Sequence, residues 1–200
     1  RKLYWRINSP DPIVQCRLSQ VGEGLQIAVY MPDRADLFAW ICSYFERKNF
    51  AILDAKIHTT KQHYALDTFI ATRKGFEKNY RDIISQVEHD LSEILKSPGD
   101  LPKPSRPKLP RKSRFFPVSP SIDLRTDDGN KFVLSIVGND YRGLLYAIAC
   151  VFSKYHINLH AAKIMTLGER IEDVFLIDGD VLKHPRRQID FERDMINVLN

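Results

Sequence analysis

The side chains best placed for binding chemistry lie in the loop Gly138–Leu145, which reads GNDYRGLL. The loop follows a β-rich run and leads into an apolar helix pattern. Amides at a helix start have no intrahelical partner, and the helix dipole is positive there, so a carboxylate is a favourable guest. Gly143 would let a ligand approach the backbone closely, and Asp140 could cap the helix or pair with an ammonium group. The loop therefore suits a free amino acid, and an ordinary helix N-cap is the alternative.

Groups that could catalyse a reaction or hold a metal do not form a recognisable set. His89 and Asp90 make a lone pair on a predicted helix, and His156 and His160 flank the start of a predicted strand. The sequence shows no phosphate loop and no Gly-Ser motif followed by paired aspartates for nucleotidyl transfer. No set of Ser, Cys and His suggests nucleophilic catalysis. We therefore predict no catalytic residue and no metal site in this chain.

The composition is ordinary for a globular protein, with 44% hydrophobic and 28% charged residues and a formal charge of +5. The excess charge lies in residues 97–114, where six basic residues accompany one acid and five prolines. We interpret this segment as an extended, solvated linker, because nucleic-acid motifs are lacking. No apolar run is long enough for a membrane span. Cys16, Cys42 and Cys150 are too widely spaced for a disulfide framework, and a reducing cytoplasm is expected. Neither nucleic acid nor a membrane is an expected partner.

The elements that would position the loop occur twice along the chain. A shift of 107 residues brings similar residues into coincidence: Asp33 with Asp140, Leu37 with Leu144, Ile41 with Ile148, Phe45 with Phe152, and Lys56 with Lys163. After one residue drops out at a turn, Asp67 coincides with Asp173. Internal repetition of this kind indicates two copies of one structural unit.

Each copy has the pattern strand, helix, strand, strand, helix. The first helix of the first copy, from about Asp36 to Lys48, is expected to bury Leu37, Ile41, Tyr44 and Phe45. The last helix of the second copy runs from about Pro185 to Leu199, and its expected inward residues are Ile189, Met195, Ile196 and Leu199. The pattern predicts an α+β fold of two ferredoxin-like (βαββαβ) domains, each an antiparallel sheet with helices on one face.

The domain boundaries follow from the repeat and the linker. Residues 1–19 are expected to form an N-terminal arm, and residues 130–200 the second domain. Residues 20–96 and 115–126 are expected to form the first domain, with 97–114 as the linker. This assignment gives the fourth strand to the first domain and leaves the second without one. Alternatively, the chain is cut short, or the strand at 115–126 serves the other sheet. Because the chain starts with Arg-Lys, we interpret it as a piece of a longer protein.

Several segments resemble ACT domains, which are small regulatory modules that bind amino acids, usually where two of them pair side by side. The resemblance rests on D-x-x-G-L-L from Asp140, HINLHAAKI from His156 and GERIEDVFLID from Gly168. Residues 20–200 further resemble the C-terminal tandem ACT region of bacterial bifunctional uridylyltransferase/uridylyl-removing enzymes. The first copy contributes to that resemblance through the segment from Met31, which ends in ALDTFI.

Both loops depart from the usual Asp-x-Pro-Gly pattern of ACT domains. Arg142 stands where proline is expected, and the first copy reads DRAD from Asp33, without the glycine. Asp36 would repel a ligand carboxylate. The second loop is therefore expected to be the better site, and Asp33, Asp36 and Leu37 a weaker second one.

The resemblance implies a glutamine sensor rather than an enzyme. The family attaches uridylyl groups to the signal protein PII when glutamine is scarce and removes them when it is plentiful, using Mg-dependent catalytic domains expected upstream. The α-carboxylate of glutamine would lie on the amides of Gly143 and Leu144. Its ammonium would meet Asp140, supported by Asn139. Asn158 would help to hold the side-chain amide.

The implied partners are glutamine, the upstream catalytic domains and, as a further candidate, PII. The ACT units could pair within the chain or between two chains, as a homodimer. The main alternative is a docking module for PII or for the catalytic domains that binds no small molecule. A free-standing transcriptional regulator built of paired ACT domains is a third interpretation.

Overall fold

The computed structural model of the chain describes residues 11–20, 24–73, 79–96, 99–104, 118–127, 130–168 and 170–200. Most of the linker expected at 97–114 lies outside these ranges. In chain order, the elements are β1 (Ile13–Leu18), β2 (Leu25–Pro32), α1 (Leu37–Arg47), β3 (Ala51–His58), β4 (Tyr64–Thr72), α2 (Tyr80–Lys96), β5 (Ser121–Thr126), β6 (Phe132–Asn139), α3 (Leu144–Lys154), β7 (Asn158–Leu167), β8 (Arg170–Asp178), a short 3₁₀ turn (Asp180–Lys183) and α4 (Pro185–Leu199).

The strands form one sheet in the order β1-β2-β4-β3-β7-β8-β6-β5. Every neighbouring pair is antiparallel. Strands β1 to β4 make up one half of the sheet and strands β5 to β8 the other. The α+β class with antiparallel pairing is therefore confirmed.

The two halves meet where β3 pairs with β7. Lys56 lies opposite Lys163, and these two residues are equivalent in the 107-residue repeat. Ala55 faces Ile164 and Ile57 faces Ala162, so the pairing is the same when read from either half. This reciprocity is the mark of a two-fold relation between like surfaces. The two copies thus pair side by side within one chain.

The edge strands correct the expected domain assignment. Strand β5, within the segment given to the first domain, pairs with β6 and completes the second half. The second sheet is therefore not missing a strand. The edge of the first half is β1, which pairs with β2 and lies in the segment expected to be an arm. In each half the edge strand thus comes first in the chain, before the β-α-β-β-α unit, although its place in the sheet is that of the last ferredoxin-like strand.

The helices pack on one face of the sheet. Alternate residues of β2 are fully or almost fully buried, as expected for a sheet with one covered face. Aromatic side chains join helices to this face: Phe45 of α1 lies on Phe69 of β4, and Phe152 of α3 lies on Phe175 of β8. The predicted inward residues of α1 are buried. In α4, however, Ile189 is 62% exposed and Phe191 takes the inward position, so that part of the helix prediction was wrong.

Candidate functional site

Two cavities lie at the seam, which is the junction of the two halves where β3 pairs with β7. The first cavity has a volume of about 530 Å³ and combines the loop before α1 with the end of α3 and the start of β7. The second cavity has a volume of about 250 Å³ and combines the loop before α3 with the end of α1 and the start of β3. Each cavity therefore draws its wall from both halves, and the repeat relates one to the other.

A buried aspartate lines each cavity from the sheet. Asp67 of β4 lines the first cavity and Asp173 of β8 the second, and each is only 2% exposed. The Asp67 carboxylate accepts a hydrogen bond from the backbone N–H of His58, and Asp173 accepts one from Met165. These bonds form where regular strand pairing is interrupted. The repeated aspartates thus replace a missing ladder bond in each half.

Burial changes the protonation of both aspartates. Loss of solvent raises the pKa of Asp67 to about 7, the His58 bond opposes this rise, and the charge of Asp33 adds to it. Desolvation likewise raises the pKa of Asp173 to about 7, opposed by the Met165 bond and assisted by Asp140. Such carboxyls pair readily with a cation, because a positive partner offsets the cost of burying the charge.

The loop of the first cavity contains an arginine, Arg34, with side-chain nitrogens that have no hydrogen-bond partner among the described residues. The Nε and Nη2 atoms of Arg34 are buried, and no described residue accepts a bond from them. Burial lowers the pKa of this guanidinium, which nevertheless stays charged at neutral pH. Asp33 accepts a bond from Thr59 Oγ1 at 3.0 Å. Asp36 is the N-cap of α1, with φ 61° and no bond from its side chain to the helix.

The loop of the second cavity is occupied by a carboxylate of the chain itself. Gly143 is the N-cap of α3, with φ 87°. A Cβ placed on Gly143 would lie 2.7 Å from Oε1 of Glu46, which is 6% exposed. Arg142 donates from Nη2 to the backbone carbonyl of Glu46 at 3.3 Å. Glu46 therefore lies where a ligand carboxylate was expected, beside the start of α3.

The remaining residues of the expected site divide between different places. Asn139 exchanges two hydrogen bonds with the backbone of Val118, so its amide anchors the chain before β5. Asp140 and Leu144 line the second cavity, and burial raises the pKa of Asp140. Asn158 was grouped with them, but it lies at the first cavity and donates from Nδ2 to Asp178. The expected second site of Asp33, Asp36 and Leu37 lines the larger cavity.

The crowding at Gly143 gives a testable expectation. Gly143→Ala should lower the free energy of unfolding by about 2–3 kcal/mol, because the methyl group meets Glu46 at a positive φ. Gly168→Ala is the matched control, since Gly168 also has a positive φ, 68°, but has open space around it. It should cost only about 1 kcal/mol. Urea unfolding of both variants measures the difference, and equal costs would show that Glu46 does not occupy this position.

Among the described residues, no cluster of three or more His, Cys, Asp or Glu side chains could hold a metal ion. His160 pairs with Asp178 rather than with His156. The three cysteines are free thiols. Within the described ranges, no helix has both the length and the apolar character needed to cross a membrane.

Sequence reasoning missed the two most informative groups of the seam. Glu46 is distant from Gly143 in the chain, and only the pairing of the halves brings them together. Its repeat-equivalent is Ser153, which lines the first cavity, and the 107-residue shift could have revealed this difference. Arg34 lies in the loop DRAD, which lacks the glycine of the ACT pattern and was therefore expected to be the weaker site. The repetition of Asp67 and Asp173 was the one available signal for the buried carboxylates.

Three relatives of this chain carry the same description. The chain is 52% identical over its full length to a bifunctional uridylyltransferase/uridylyl-removing enzyme of Cupriavidus metallidurans. The corresponding enzymes of Ralstonia nicotianae and Burkholderia vietnamiensis are 50% and 46% identical, again over the full chain. The chain spans 23–24% of the length of these relatives. No family model matches the chain, and no solved structure matches it. The chain therefore corresponds along its whole length to the C-terminal quarter of the bifunctional uridylyltransferase/uridylyl-removing enzymes.

Proposed function

We propose that this chain is the amino-acid-sensing module of a bifunctional uridylyltransferase/uridylyl-removing enzyme, built of two paired ACT domains, and that its ligand is glutamine. The observation that carries the proposal is the position of the cavities, each built from a loop of one half and a helix end of the other. A ligand held there contacts both halves at once. It can therefore favour one arrangement of the seam over another, which is the requirement for regulation by binding.

The regulated activities would lie elsewhere in the longer protein. In this proposal, upstream catalytic domains attach uridylyl groups to PII or remove them, in the cytoplasm, and the seam reports the glutamine level to them. A coupling free energy of about 1–3 kcal/mol between the glutamine site and the catalytic domains is enough to change the balance of the two activities several-fold or more. The module itself contributes binding and no catalytic group.

Calorimetric titration of this chain tests the proposal. L-glutamine is expected to bind with measurable heat, and L-glutamate and D-glutamine serve as the charge and stereochemical controls. Glutamate should bind more weakly, because a charged side chain costs more free energy to bury in a cavity than the neutral amide of glutamine. Absence of heat with glutamine and with other amino acids would refute the sensing role.

The docking alternative is favoured by a different surface. The sheet face away from the helices carries exposed apolar side chains, including Leu66 at 45% and Val174 at 40%. A missing strand in the second sheet gives docking no support, because β5 completes that sheet. Binding of PII to the isolated chain, at equal affinity with and without glutamine, would favour docking over sensing.

A further inference from the structure

The two cavities differ at the point where a ligand carboxylate would approach the helix. In the second cavity, Glu46 lies against Gly143 and places a negative charge beside the start of α3. A second carboxylate there would meet direct repulsion. In the first cavity the equivalent position is Ser153, which is short and uncharged. This difference agrees with the volumes, about 530 Å³ against about 250 Å³.

The first cavity also has a cation that forms no ion pair with any described residue and could receive a carboxylate. Two buried nitrogen atoms of Arg34 lack partners, and among the described residues no ion pair involves this side chain. Buried donors without partners are rare in folded proteins and call for an explanation. The planar guanidinium is suited to a carboxylate, which can accept two parallel hydrogen bonds from it. At the position of Arg34, the second copy has Tyr141, whose hydroxyl donates to the Val198 carbonyl.

A carboxyl group that can pair with an ammonium lies in the same cavity. The Asp67 side chain is 2% exposed, and its one hydrogen bond among the described residues is the 3.4 Å contact with His58 N–H. No described lysine, arginine or histidine forms an ion pair with it. A buried carboxylate with spare acceptor capacity can therefore take an ammonium group that enters the cavity.

We propose that the first cavity, and not the second, binds the amino acid, with Arg34 receiving the α-carboxylate and Asp67 receiving the α-ammonium group. This inference rests on the proposed sensing function and reverses the order of the two sites expected from the loops alone. Asp36 does not prevent it, because this side chain is exposed and screened by solvent. The ligand class is a zwitterionic amino acid with a neutral side chain, bound once per chain. Asn158 and Thr60 also line the cavity and offer polar groups to a side-chain amide.

Paired substitutions in the two cavities test the choice. Arg34→Gln and Asp67→Asn alter the first cavity, and Arg142→Gln and Asp173→Asn make the same chemical changes beside the second. In calorimetric titration with L-glutamine, the unchanged chain should bind one molecule. Each first-cavity variant should bind about 30-fold more weakly or worse, because one ligand charge is left unpaired. Each second-cavity variant should stay within about threefold of the unchanged chain. Circular dichroism verifies that each variant is folded.

The outcomes separate this inference from the function on which it rests. If the unchanged chain binds no amino acid, the sensing function and this inference fall together. If it binds glutamine but loses affinity through Asp173→Asn or Arg142→Gln instead, sensing stands and the assignment to the first cavity is wrong. Two bound molecules per chain, or equal losses in all four variants, would also overturn the assignment.

Discussion

The free energy of unfolding is expected to fall as the pH rises from about 4 to 8, and Asp67→Asn and Asp173→Asn should each remove a large part of that fall. Burial raises the pKa of both carboxyls from 3.8 to about 7. Between these values, the folded chain binds protons that the unfolded chain has released. The stabilisation is therefore complete below about pH 4 and is lost as the pH rises through 7. The shift corresponds to at most about 4 kcal/mol for each carboxyl.

Asparagine is the appropriate replacement because it is neutral at every pH and keeps an oxygen for the backbone N–H of His58 or Met165. Urea unfolding at pH 5 and pH 8 gives the comparison. At pH 8 each variant should be more stable than the unchanged chain, because no charge has to be buried. Asp123→Asn, which changes a half-exposed carboxylate of β5, is the control and should leave the pH dependence intact. A slope in Asp67→Asn equal to that of the unchanged chain would contradict a raised pKa of Asp67.

The same expectation clarifies the binding experiment. If Asp67→Asn stabilises the fold at pH 8, a loss of glutamine affinity in that variant cannot come from unfolding. Burial of a charged carboxylate lowers the stability of the fold, but it allows the site to bind an ammonium group. The two measurements together therefore show whether Asp67 is retained for binding or for structure.

The repeat allowed much of the architecture to be predicted from the sequence. Lys56 and Lys163 were equivalent by the 107-residue shift, and the structure pairs them across the seam. The period of the apolar residues identified the buried face of α1. Both signals are local or depend on a fixed spacing, so they can be detected without knowledge of the tertiary fold.

The edge strands could not be assigned in this way. The sequences of β1 and β5 are both compatible with an edge, and either could follow or precede the unit it completes. The choice depends on which sheet edge each segment pairs with, and in the structure β1 and β5 each pair with the next strand along the chain, β2 or β6. A short connection of this kind costs less loop-closure entropy than a return across the linker. The proximity of Glu46 to Gly143 was hidden for a related reason, because it exists only after the halves have paired.

The largest loss of folding stability is expected from a substitution at Phe175. This residue is fully buried. Its ring centroid lies 5.3 Å from that of Phe152 and, across the seam, 6.5 Å from that of Phe38. Phe175→Ala should lower the free energy of unfolding by about 4–5 kcal/mol, through lost burial and the cavity left behind. Its repeat-equivalent, Phe69, is as deeply buried and packs on Phe45 within the first half. Phe69→Ala should cost about 3–4 kcal/mol.

A double-mutant cycle then isolates the contact across the seam. Phe38→Leu combined with Phe175→Ala should give a coupling energy of about 0.5–1.5 kcal/mol, measured by urea unfolding. The matched cycle, Phe38→Leu with Phe69→Ala, combines two residues whose ring contacts are with other residues, and it should give a value near zero. Coupling in the first cycle alone would show that the contact between α1 and β8 stabilises the two halves against each other. A ligand bound at the seam would then change the stability of both halves. Absence of coupling, or separate unfolding steps for the two halves, would mean that the seam is too weakly packed to transmit binding.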